Sequence, residues 1–358
     1  MTELTHGGPG ARVPGMNSGA DAADPDVVTD PGRGRPPTAR VLELAHGAAW
    51  THILGALARL EIADHLAAGP RSIADLASVT AAVPELLDRL LRAAAAGGLV
   101  ERTPDGMVSM TADGRCLQAG SGSLRDFALA FSAPGQLRPL EHLTEAILGR
   151  PAADAALGQP IWAYYRDHRD EGAAFAGAMS GVSAGIAGQV AAAAAVTGPV
   201  SIVDVGGGHG TLLRAMLASA PQARGIVLDL PEVVEAAPAA ERIEFVAGDF
   251  LAGVPAGADI YVLSHVLHDW DDPDARRILG ACRRAADAGA RLLVVEGVLA
   301  DQPGPVMPEL LNLHLLVMSG GRERGADQYR QLLDSAGWHL DEVTRLASGQ
   351  SLLSARPR

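Results

Sequence analysis

The stretch Val203-Asp204-Val205-Gly206-Gly207-Gly208-His209-Gly210 decides the fold of the second half of this 358-residue chain. It joins a short apolar run to a helical pattern, and its glycines permit a tight turn and the close approach of a ligand to the backbone. The spacing is G-x-G-x-G, because Thr211 stands where a dinucleotide fingerprint has its last glycine. The Gly-Lys-Ser/Thr of a P-loop is also absent. The stretch therefore predicts a ligand-binding loop that is neither of these two phosphate-binding motifs.

Short apolar runs alternate with helical patterns around this loop. The predicted strands cover residues 200–205, 225–229, 243–246, 260–264 and 291–297, and the predicted helices cover residues 212–219, 274–286 and 329–336. Such alternation implies a parallel sheet with helices on both faces, which is a doubly wound, Rossmann-like α/β domain. We assign this domain to residues 199–358, after the boundary at Gly198-Pro199. Its ligands are expected at the carboxyl ends of the strands.

Acidic residues follow two of the predicted strands. Asp229 stands where a carboxylate can accept hydrogen bonds from two ribose hydroxyls, and an exposed turn aspartate before Pro231 is the alternative. After the next strand, Asp249 could accept from an adenine amino group while Phe250 covers the ring. The loop residues assigned to the same site are Asp204, Gly206, Gly208 and Gly210. Together these positions predict an adenosine site without a phosphate-binding lysine.

The N-terminal half divides into three parts. Residues 1–38 are rich in Gly, Pro, Asp and Ala and are predicted to be a disordered tail. Residues 39–115 show helices and a hairpin in a winged-helix arrangement, and residues 116–198 are a helical linker and substrate-lining region. A winged helix can bind DNA or another protein. Because Glu85 and Asp88 in its third helix would repel phosphate, we predict a dimerisation or protein-interaction domain.

The composition limits the classes of function. Apolar residues make up 48% of the chain and charged residues 20%, so the chain can bury a core. The formal net charge of −13 opposes binding to nucleic acid or to an anionic membrane. We recognise no membrane-spanning stretch and no secretory signal, and we therefore predict a cytoplasmic protein in which Cys116 and Cys282 are reduced. The histidines and cysteines lack metal-ligand spacing, so no metal is predicted.

The segment Ser264-His265-Val266-Leu267-His268-Asp269-Trp270-Asp271-Asp272 follows the fourth predicted strand. It resembles the H-D-W signature of the caffeic-acid-type small-molecule O-methyltransferases of plants and actinobacteria. The glycine loop, L-D-L-P at 228–231, G-D-F at 248–250 and G-G-R-E-R at 320–324 are also similar to that family. The resemblance covers residues 40–357. It implies S-adenosylmethionine as cofactor, a homodimer formed through the winged helix, and methylation of a hydroxyl of an aromatic, polycyclic natural product.

The resemblance also implies roles for individual residues. His268 matches the catalytic base, and Glu296 and Glu323 match carboxylates that orient its imidazole. A surface histidine and glutamates in ordinary salt bridges or loops are the alternatives. Ser264 departs from the lysine that is common in relatives, and the cofactor residues that the resemblance adds are Leu230, Ser264 and Ser183. On the acceptor side the resemblance implies Phe175, Met179 and Asn312, for which plain packing is the alternative, and the size of the acceptor pocket is expected to depend on them and on Leu315. Helix spacing alone adds Trp162 and His314.

The chemistry of methyl transfer is consistent with these roles. The reaction is an in-line displacement that needs the acceptor oxygen, the methyl carbon and the sulfur in one line. A phenol with a pKa near 10 and an imidazole near 6.5 are mismatched by about 3.5 pKa units, or roughly 5 kcal/mol for full proton transfer. A carboxylate on the far ring nitrogen would fix the tautomer and stabilise the imidazolium. Two alternatives stay open: a relative that binds the cofactor but performs decarboxylation or hydroxylation, and a winged-helix regulator that senses a small molecule.

Overall fold

The computed structural model describes residues 37–120, 122–300, 302 and 304–358. The chain divides into two compact units between Gly47 and Ala48. The first unit holds one described helix, α1 (Pro37–Ala45). Residues 1–36 of the predicted disordered tail lie outside the described residues, and the last two residues of that tail, Pro37 and Thr38, begin helix α1.

The N-terminal part of the second unit is a small group of helices with a three-stranded antiparallel sheet. Its elements in chain order are α2 (Gly47–Arg59), α3 (Ile62–His65), β1 (Arg71–Ser72), α4 (Ile73–Thr80), α5 (Pro84–Ala96), β2 (Val100–Arg102) and β3 (Met107–Met110). Ser72 Oγ accepts a hydrogen bond from the Asp75 N–H at 3.1 Å, and Pro84 lies in the first turn of α5, so both residues suit a helix start. Arg71 and Ser72 also pair with β3 and add a third strand to the predicted hairpin.

Residues 114–194 are almost entirely helical. Their elements are a 3₁₀ helix (Gly114–Leu117), α6 (Arg125–Phe131), α7 (Pro134–Leu137), a second 3₁₀ helix (Arg138–His142), α8 (Leu143–Ile147), α9 (Ala152–Leu157), α10 (Ile161–Asp167) and α11 (Arg169–Ala194). Pro134, Pro151 and Pro160 each lie at or just before the start of a helix. Proline is tolerated there because the backbone N–H that it lacks would have no partner within the helix. The prolines therefore divide this region into short helices before the long helix α11.

Helix α11 passes a simple test for membrane spans. It is the one described helix that is long and apolar enough to cross a membrane by length and composition. That no stretch of this chain spans a membrane stays a prediction. The same test is passed by core helices of folded proteins, and α11 packs against α6 and α12 (Thr211–Ser219), so this is weak support for a membrane span.

A seven-stranded sheet carries the C-terminal half of the unit. Its elements in chain order are β4 (Ser201–Val205), α12, β5 (Arg224–Asp229), α13 (Pro231–Ala236), β6 (Ile243–Ala247), β7 (Ile260–Ser264), a 3₁₀ helix (Leu267–Asp269), α14 (Asp272–Ala285), β8 (Arg291–Glu296), β9 (Val298–Leu299), α15 (Val306–Ser319), β10 (Arg324–Gly325), α16 (Ala326–Ser335), β11 (Trp338–Arg345) and β12 (Ser351–Pro357). The strand order is β11-β12-β8-β7-β4-β5-β6, and β9 and β10 form a separate parallel pair. The five predicted parallel strands and the α/β fold class are confirmed. The antiparallel hairpin β11–β12 was not predicted.

Both faces of the sheet are buried, and the side chains of β7 show this alternation. Tyr261 and Leu263 join a core formed with α14 and α16, whereas Ile260 and Val262 join a second core formed with α11 and α12. In the central strands β4, β7 and β8, the charged side chains and the serines therefore lie at or next to the strand ends, as in other doubly wound sheets. The residues that end four neighbouring strands at the carboxyl edge are Val205, Asp229, Ser264 and Glu296.

The hairpin β11–β12 offers a matched pair for a stability test. Leu353 is 0% exposed and lies opposite Val343, which is 37% exposed on the edge strand. We expect Leu353→Ala to lower the free energy of unfolding by about 2–5 kcal/mol, because the buried side chain leaves a cavity. Val343→Ala is expected to cost less than about 1 kcal/mol. Urea denaturation followed by circular dichroism measures both losses, and equal losses would contradict the burial of β12.

Candidate active site

The glycine loop between β4 and α12 has a backbone that side chains would not tolerate. Gly206, Gly208 and Gly210 have φ values of 71°, 58° and 74°, in the left-handed region that favours glycine. A Cβ on Gly207 would lie 2.5 Å from Cγ of Asp204, so this position also has no room for a side chain. The loop therefore presents bare backbone at the carboxyl edge of the sheet, where a ligand can approach it closely.

Asp229, at the end of β5, fixes the loop in place. Its Oδ2 accepts from the Gly208 N–H and its Oδ1 accepts from the Leu230 N–H, both at 2.7 Å. Burial raises the pKa of Asp229, and these two hydrogen bonds act in the opposite direction. Each carboxylate oxygen keeps a second lone pair. The structure therefore brings three of the sequence-predicted cofactor positions together, with acceptor capacity left for hydroxyl groups.

Asp204 is a buried carboxyl group without a partner. It is 1% exposed, and neither of its oxygens has a hydrogen bond among the described residues. Burial raises its pKa to about 7, and the negative charge of Asp229 adds to the effect. A buried polar group in this state is costly unless it is protonated or bonded to a ligand. The position below the glycine loop thus suits a ligand that brings hydrogen-bond donors or positive charge.

The residues after β6 lie beside the same loop. Phe250 packs edge-on against Trp270, with ring centroids 5.8 Å apart, and its Cε1 is 3.5 Å from the position of a Cβ on Gly206. Asp249 is exposed, and its Oδ1 accepts from the Leu251 N–H at 2.8 Å. The aromatic ring is therefore placed against the loop, while the Asp249 carboxylate faces solvent and shapes its own turn.

Two serines predicted at the cofactor have different surroundings. Ser264 Oγ lies 3.3 Å from Nδ1 of His265, whose φ is 53° and whose pKa burial lowers to about 3. Ser183 is half-buried on α11, one turn after Ser180. Ser180 Oγ is 3.1 Å from Nδ1 of His209, a contact between α11 and the glycine loop that sequence reasoning missed. Its only sequence signal was the i, i+3 spacing to the predicted Ser183.

The imidazole of His268, 6% exposed, lies against two buried carboxylates. Its Nδ1 is 3.1 Å from Oε1 of Glu323 and 3.2 Å from Oε2 of Glu296. The other oxygen of Glu296 accepts the backbone N–H groups of Val266, Leu267 and His268 at 3.1, 2.8 and 3.4 Å. Glu296, at the end of β8, thus holds both the backbone and the ring of the turn that follows β7. With Nδ1 directed at the carboxylates, Nε2 is the nitrogen left for an incoming group.

The charges of this cluster favour a proton on the ring. Burial opposes the imidazolium of His268, but the negative charges of Glu296, Asp269 and Glu323 outweigh it and raise the pKa of His268 to about 10. Burial raises the pKa of Glu296 to about 7 and that of Asp269 to about 6. The arrangement is that of a strongly basic imidazole with a fixed orientation.

The same three side chains are also close enough together to hold a metal ion. One ligand atom each from His268, Glu296 and Glu323 lie within 4.8 Å of one another. Spacing along the chain could not reveal this group, because the three residues belong to three separate segments. A histidine nitrogen hydrogen-bonded to carboxylates is the arrangement that orients a general base. That the protein uses no metal stays a prediction.

Arg324, which is fully buried, clamps the turn from the opposite side. Its guanidinium donates to the carbonyl oxygens of Leu267 and Trp270, both at 2.7 Å, and to Oδ1 of Asp272 at 2.9 and 3.1 Å. A planar guanidinium can make all of these bonds at once, which an ammonium group cannot. In the sequence, Arg324 belongs to the G-G-R-E-R segment, and nothing in that pattern predicts a role for it. We infer that it is a positioning residue for the turn that carries His268.

A lysine at position 324 tests this positioning role. We expect Arg324→Lys to lower kcat by at least about 10-fold, because small misplacement of a reacting group is costly. The affinity for S-adenosylhomocysteine, measured by calorimetry, should change less than about twofold, since Arg324 is bonded to the turn and to Asp272.

Arg322→Lys is the matched control, because Arg322 also pairs with Asp272 but its side chain is 45% exposed. Its kcat should stay close to that of the unaltered chain. Equal losses of kcat in the two variants would remove the special role of Arg324.

The residues predicted on the acceptor side fall into two groups. Phe175 on α11 stacks on Tyr165 with centroids 5.0 Å apart and meets Trp162 edge-on at 5.9 Å. Asn312 on α15 instead accepts the Glu323 N–H at 2.9 Å through its Oδ1, so it holds the loop that carries Glu323. The remaining members are Met179, half-buried on α11, and Leu315, buried on α15. The aromatic members therefore meet in one cluster.

Comparison with known protein families finds two matching domains in this chain. Residues 140–339 match the O-methyltransferase domain, and residues 42–119 match the O-methyltransferase dimerisation domain. The chain is similar to the phenazine O-methyltransferase PhzM of Lysobacter antibioticus, with 35% identity over 325 residues that cover 88% of this chain and 95% of the relative.

Solved structures show the same similarity. The mitomycin 7-O-methyltransferase MmcR has a TM-score of 0.83 and 32% identity, covering 90% of this chain and 98% of its own. The O-methyltransferase NcsB1 from neocarzinostatin biosynthesis, in complex with S-adenosylmethionine and 2-hydroxy-5-methyl naphthoic acid, has a TM-score of 0.71 and 32% identity. That comparison covers 88% of this chain and 98% of the other.

Proposed function

Because this chain belongs to the O-methyltransferase family, we propose that it methylates a hydroxyl of a planar, polycyclic aromatic natural product with His268 as general base. The observation that carries the proposal is the orientation of the His268 ring. Its Nδ1 faces the carboxylates of Glu323 and Glu296, which leaves Nε2 for an acceptor hydroxyl. The family uses S-adenosylmethionine as methyl donor.

The cofactor is expected at the glycine loop and the neighbouring strand ends. Asp229 keeps lone pairs for the ribose hydroxyls, and the unpartnered carboxyl of Asp204 suits an ammonium group. When bound, S-adenosylmethionine supplies an electrophilic methyl group on a sulfonium, whose positive charge disfavours a second positive charge nearby. The residues proposed to hold it are Asp204, Gly206, Gly208, Gly210, Asp229, Leu230, Asp249, Phe250, Ser264 and Ser183.

His268 removes the proton of the acceptor hydroxyl through Nε2. In the neutral ring, the proton on Nδ1 is held by the carboxylates, so the lone pair lies on Nε2. The carboxylates of Glu296, Asp269 and Glu323 raise the pKa of the ring to about 10, close to that of an ordinary phenol. These charges therefore reduce the mismatch of about 3.5 pKa units that an ordinary imidazole would have with a phenol, which makes proton transfer to this ring less unfavourable.

The aromatic side chains support a planar acceptor. The chain has 5 Phe, 4 Tyr and 4 Trp, and six of these residues lie between positions 127 and 175. Phe127 stacks on Phe131 at 3.9 Å, and Tyr165, Trp162 and Phe175 meet in the cluster described above. Flat rings present surfaces on which another flat ring can stack. The acceptor side is proposed to include Phe175, Met179, Asn312, Leu315 and Trp162.

We further propose a homodimer formed through the N-terminal region. This region matches the O-methyltransferase dimerisation domain. Val79, Val83 and Leu86, on α4 and the start of α5, are 47%, 57% and 57% exposed. Three neighbouring apolar side chains of this size are better buried against another protein surface than left in water. Light scattering coupled to size-exclusion chromatography measures the expected mass of two chains.

The base is tested by removing the imidazole. We expect His268→Asn to lower kcat for methyl transfer by about 10²–10⁴-fold, which is the usual contribution of a general base. The assay follows labelled methyl groups from S-adenosylmethionine to a panel of hydroxylated phenazines and naphthalenes, with mass spectrometry to confirm the methyl ether. The affinity for S-adenosylhomocysteine should stay within about twofold, because His268 contacts carboxylates rather than the glycine loop.

His339→Asn is the matched control, because His339 lies on β11 with 49% of its side chain exposed. Full activity of the His268 variant would refute the base assignment. Failure of the unaltered protein to label any acceptor, despite binding S-adenosylhomocysteine, would refute the proposed acceptor class.

The pH dependence tests the carboxylate behind the base. His268 must be unprotonated to act, so kcat/KM for the acceptor at saturating cofactor should rise as the pH rises through the pKa of His268. Glu296→Gln removes a negative charge that raises this pKa, so the pKa falls. The acid limb of the profile should move to lower pH by about 1–2 units.

The amide of Gln keeps an oxygen for the backbone N–H groups of the turn. Glu342→Gln, at an exposed position on β11, serves as the control and should not move the profile. An acid limb that stays in place or moves to higher pH in Glu296→Gln would contradict the proposed electrostatic role.

A further inference from the structure

Three polar side chains form a hydrogen-bonded chain beside the aromatic cluster. Gln136, which follows Pro134 on α7, is 2% exposed. Its Nε2 donates to the hydroxyl of Tyr165 on α10 at 2.5 Å, and its Oε1 lies 2.6 Å from Nε2 of His314 on α15. These two hydrogen bonds therefore connect α7, α10 and α15. A buried amide with both ends bonded fixes the orientation of its partners.

The hydrogen bond to Gln136 determines which nitrogen of His314 carries the proton. An amide oxygen can only accept, so Nε2 of His314 must be the donor toward Oε1 of Gln136. Burial lowers the pKa of His314 to about 4, so its ring is neutral at physiological pH. Nδ1 is then left with a bare lone pair. This atom has no hydrogen-bond partner among the described residues and is not sealed from solvent.

The ring of His314 lies next to the proposed acceptor side. It stacks on Phe131 with centroids 5.3 Å apart and an interplanar angle of 23°. At the other end of the chain, the ring of Tyr165 stacks on Phe175. Helix α15, which carries His314, packs against the 3₁₀ helix Leu267–Asp269 that contains His268. The free lone pair of Nδ1 therefore belongs to a ring that stacks on Phe131 and lies on a helix in contact with the turn of the base.

We propose that His314 is a specificity-determining residue, whose Nδ1 accepts a hydrogen bond from a second hydroxyl or N–H group on the aromatic acceptor. Gln136 and Tyr165 are the positioning residues that keep His314 in the required tautomer. The inference rests on the proposed function, because it assumes that a flat acceptor stacks in the aromatic cluster. It adds the chemical class of that acceptor, which is an aromatic compound with a hydrogen-bond donor in addition to the hydroxyl that is methylated.

Discrimination by such a group is stronger than discrimination by shape. An apolar wall distinguishes a hydroxyl from a hydrogen atom only weakly. A polar group of the protein that is covered by a ligand loses its hydrogen bond to water, so a ligand that offers no hydrogen bond in return binds more weakly. An imidazole also has a flat ring, so it can stack at the edge of the aromatic cluster and accept a hydrogen bond from the ligand at the same time.

The probes are isomeric dihydroxynaphthalenes, their monomethyl ethers and the two naphthols. The second substituent of the diols can donate a hydrogen bond, that of the monomethyl ethers can only accept one, and the naphthols have no second substituent. The full-length protein is loaded with S-adenosylhomocysteine, and the dissociation constants are measured by calorimetry. We expect at least one diol to bind about 5- to 30-fold more tightly than its monomethyl ether and than the naphthol. His314→Phe, which keeps the stack on Phe131, should reduce both ratios to within about twofold.

Two tyrosine variants complete the experiment. Tyr165→Phe removes the hydroxyl that orients the Gln136 amide, so the tautomer of His314 is no longer fixed and the diol preference should fall. Tyr164→Phe is the matched control, because the hydroxyl of Tyr164 bonds to Glu171 at 3.0 Å and takes no part in the chain. Its diol preference should equal that of the unaltered protein.

Each outcome decides between the inference and the proposed function. A diol preference that survives in His314→Phe overturns the inference, and so does a preference for the ethers, since Nδ1 would then be a donor. Equal binding of all probes together with methyl transfer overturns the inference alone. The expected preference without methyl transfer supports the inference and overturns the proposed function. Binding of none of the probes overturns both.

Discussion

The buried carboxylate of Glu296 is the contact on which the site depends. One of its oxygens accepts the N–H groups of three successive residues that follow β7, and the other lies 3.2 Å from the ring of His268. A carboxylate in the interior is costly unless it is hydrogen bonded and paired. Here that cost is offset only when the turn and the ring are both in place. The same group therefore stabilises the local fold and orients the ring.

The fold explains why this carboxylate can be so precise. β8 lies between β7 and β12 in the sheet, and Glu296 pairs with Ser351 at its end. The strand cannot shift without breaking ladders on both sides. Arg324 holds the turn from the other side, and β10, which contains it, pairs with β9 directly after Glu296. The two groups that fix the turn are thus attached to neighbouring backbone segments, which limits their movement relative to each other.

Much of the sheet could be predicted because its parallel strands are buried on both faces. β4 and β7 read as continuous apolar runs, bounded by glycine or by the motif that follows. β11 could not be recognised in this way, because it is an edge strand with mostly exposed, charged residues between Trp338 and Arg345. The glycine loop was predictable for a local reason, since its backbone needs positive φ at three positions.

The site was predictable to a different degree. The resemblance of the H-D-W and G-G-R-E segments suggested His268, Glu296 and Glu323 together, whereas no local pattern could show that residues 268, 296 and 323 converge on one ring nitrogen. Contacts between distant segments stayed hidden for the same reason. The bond from the Glu323 N–H to Asn312 and that between Ser180 and His209 are set by tertiary packing, which spacing does not encode. Their chemical roles stay predictions.

Three histidines, the buried His268 and the half-buried His265 and His314, show how different surroundings give the imidazole different properties. His265 and His268 have ring centroids 5.6 Å apart, yet the pKa of His265 is lowered to about 3 and that of His268 is raised to about 10. Burial acts on both rings in the same direction, so the difference comes from the carboxylates that only His268 contacts. His314, with an amide as its partner, is also neutral. A carboxylate partner therefore makes an imidazole a strong base, whereas an amide partner leaves it neutral and fixes only its tautomer, which suits a group that recognises a ligand without taking its proton.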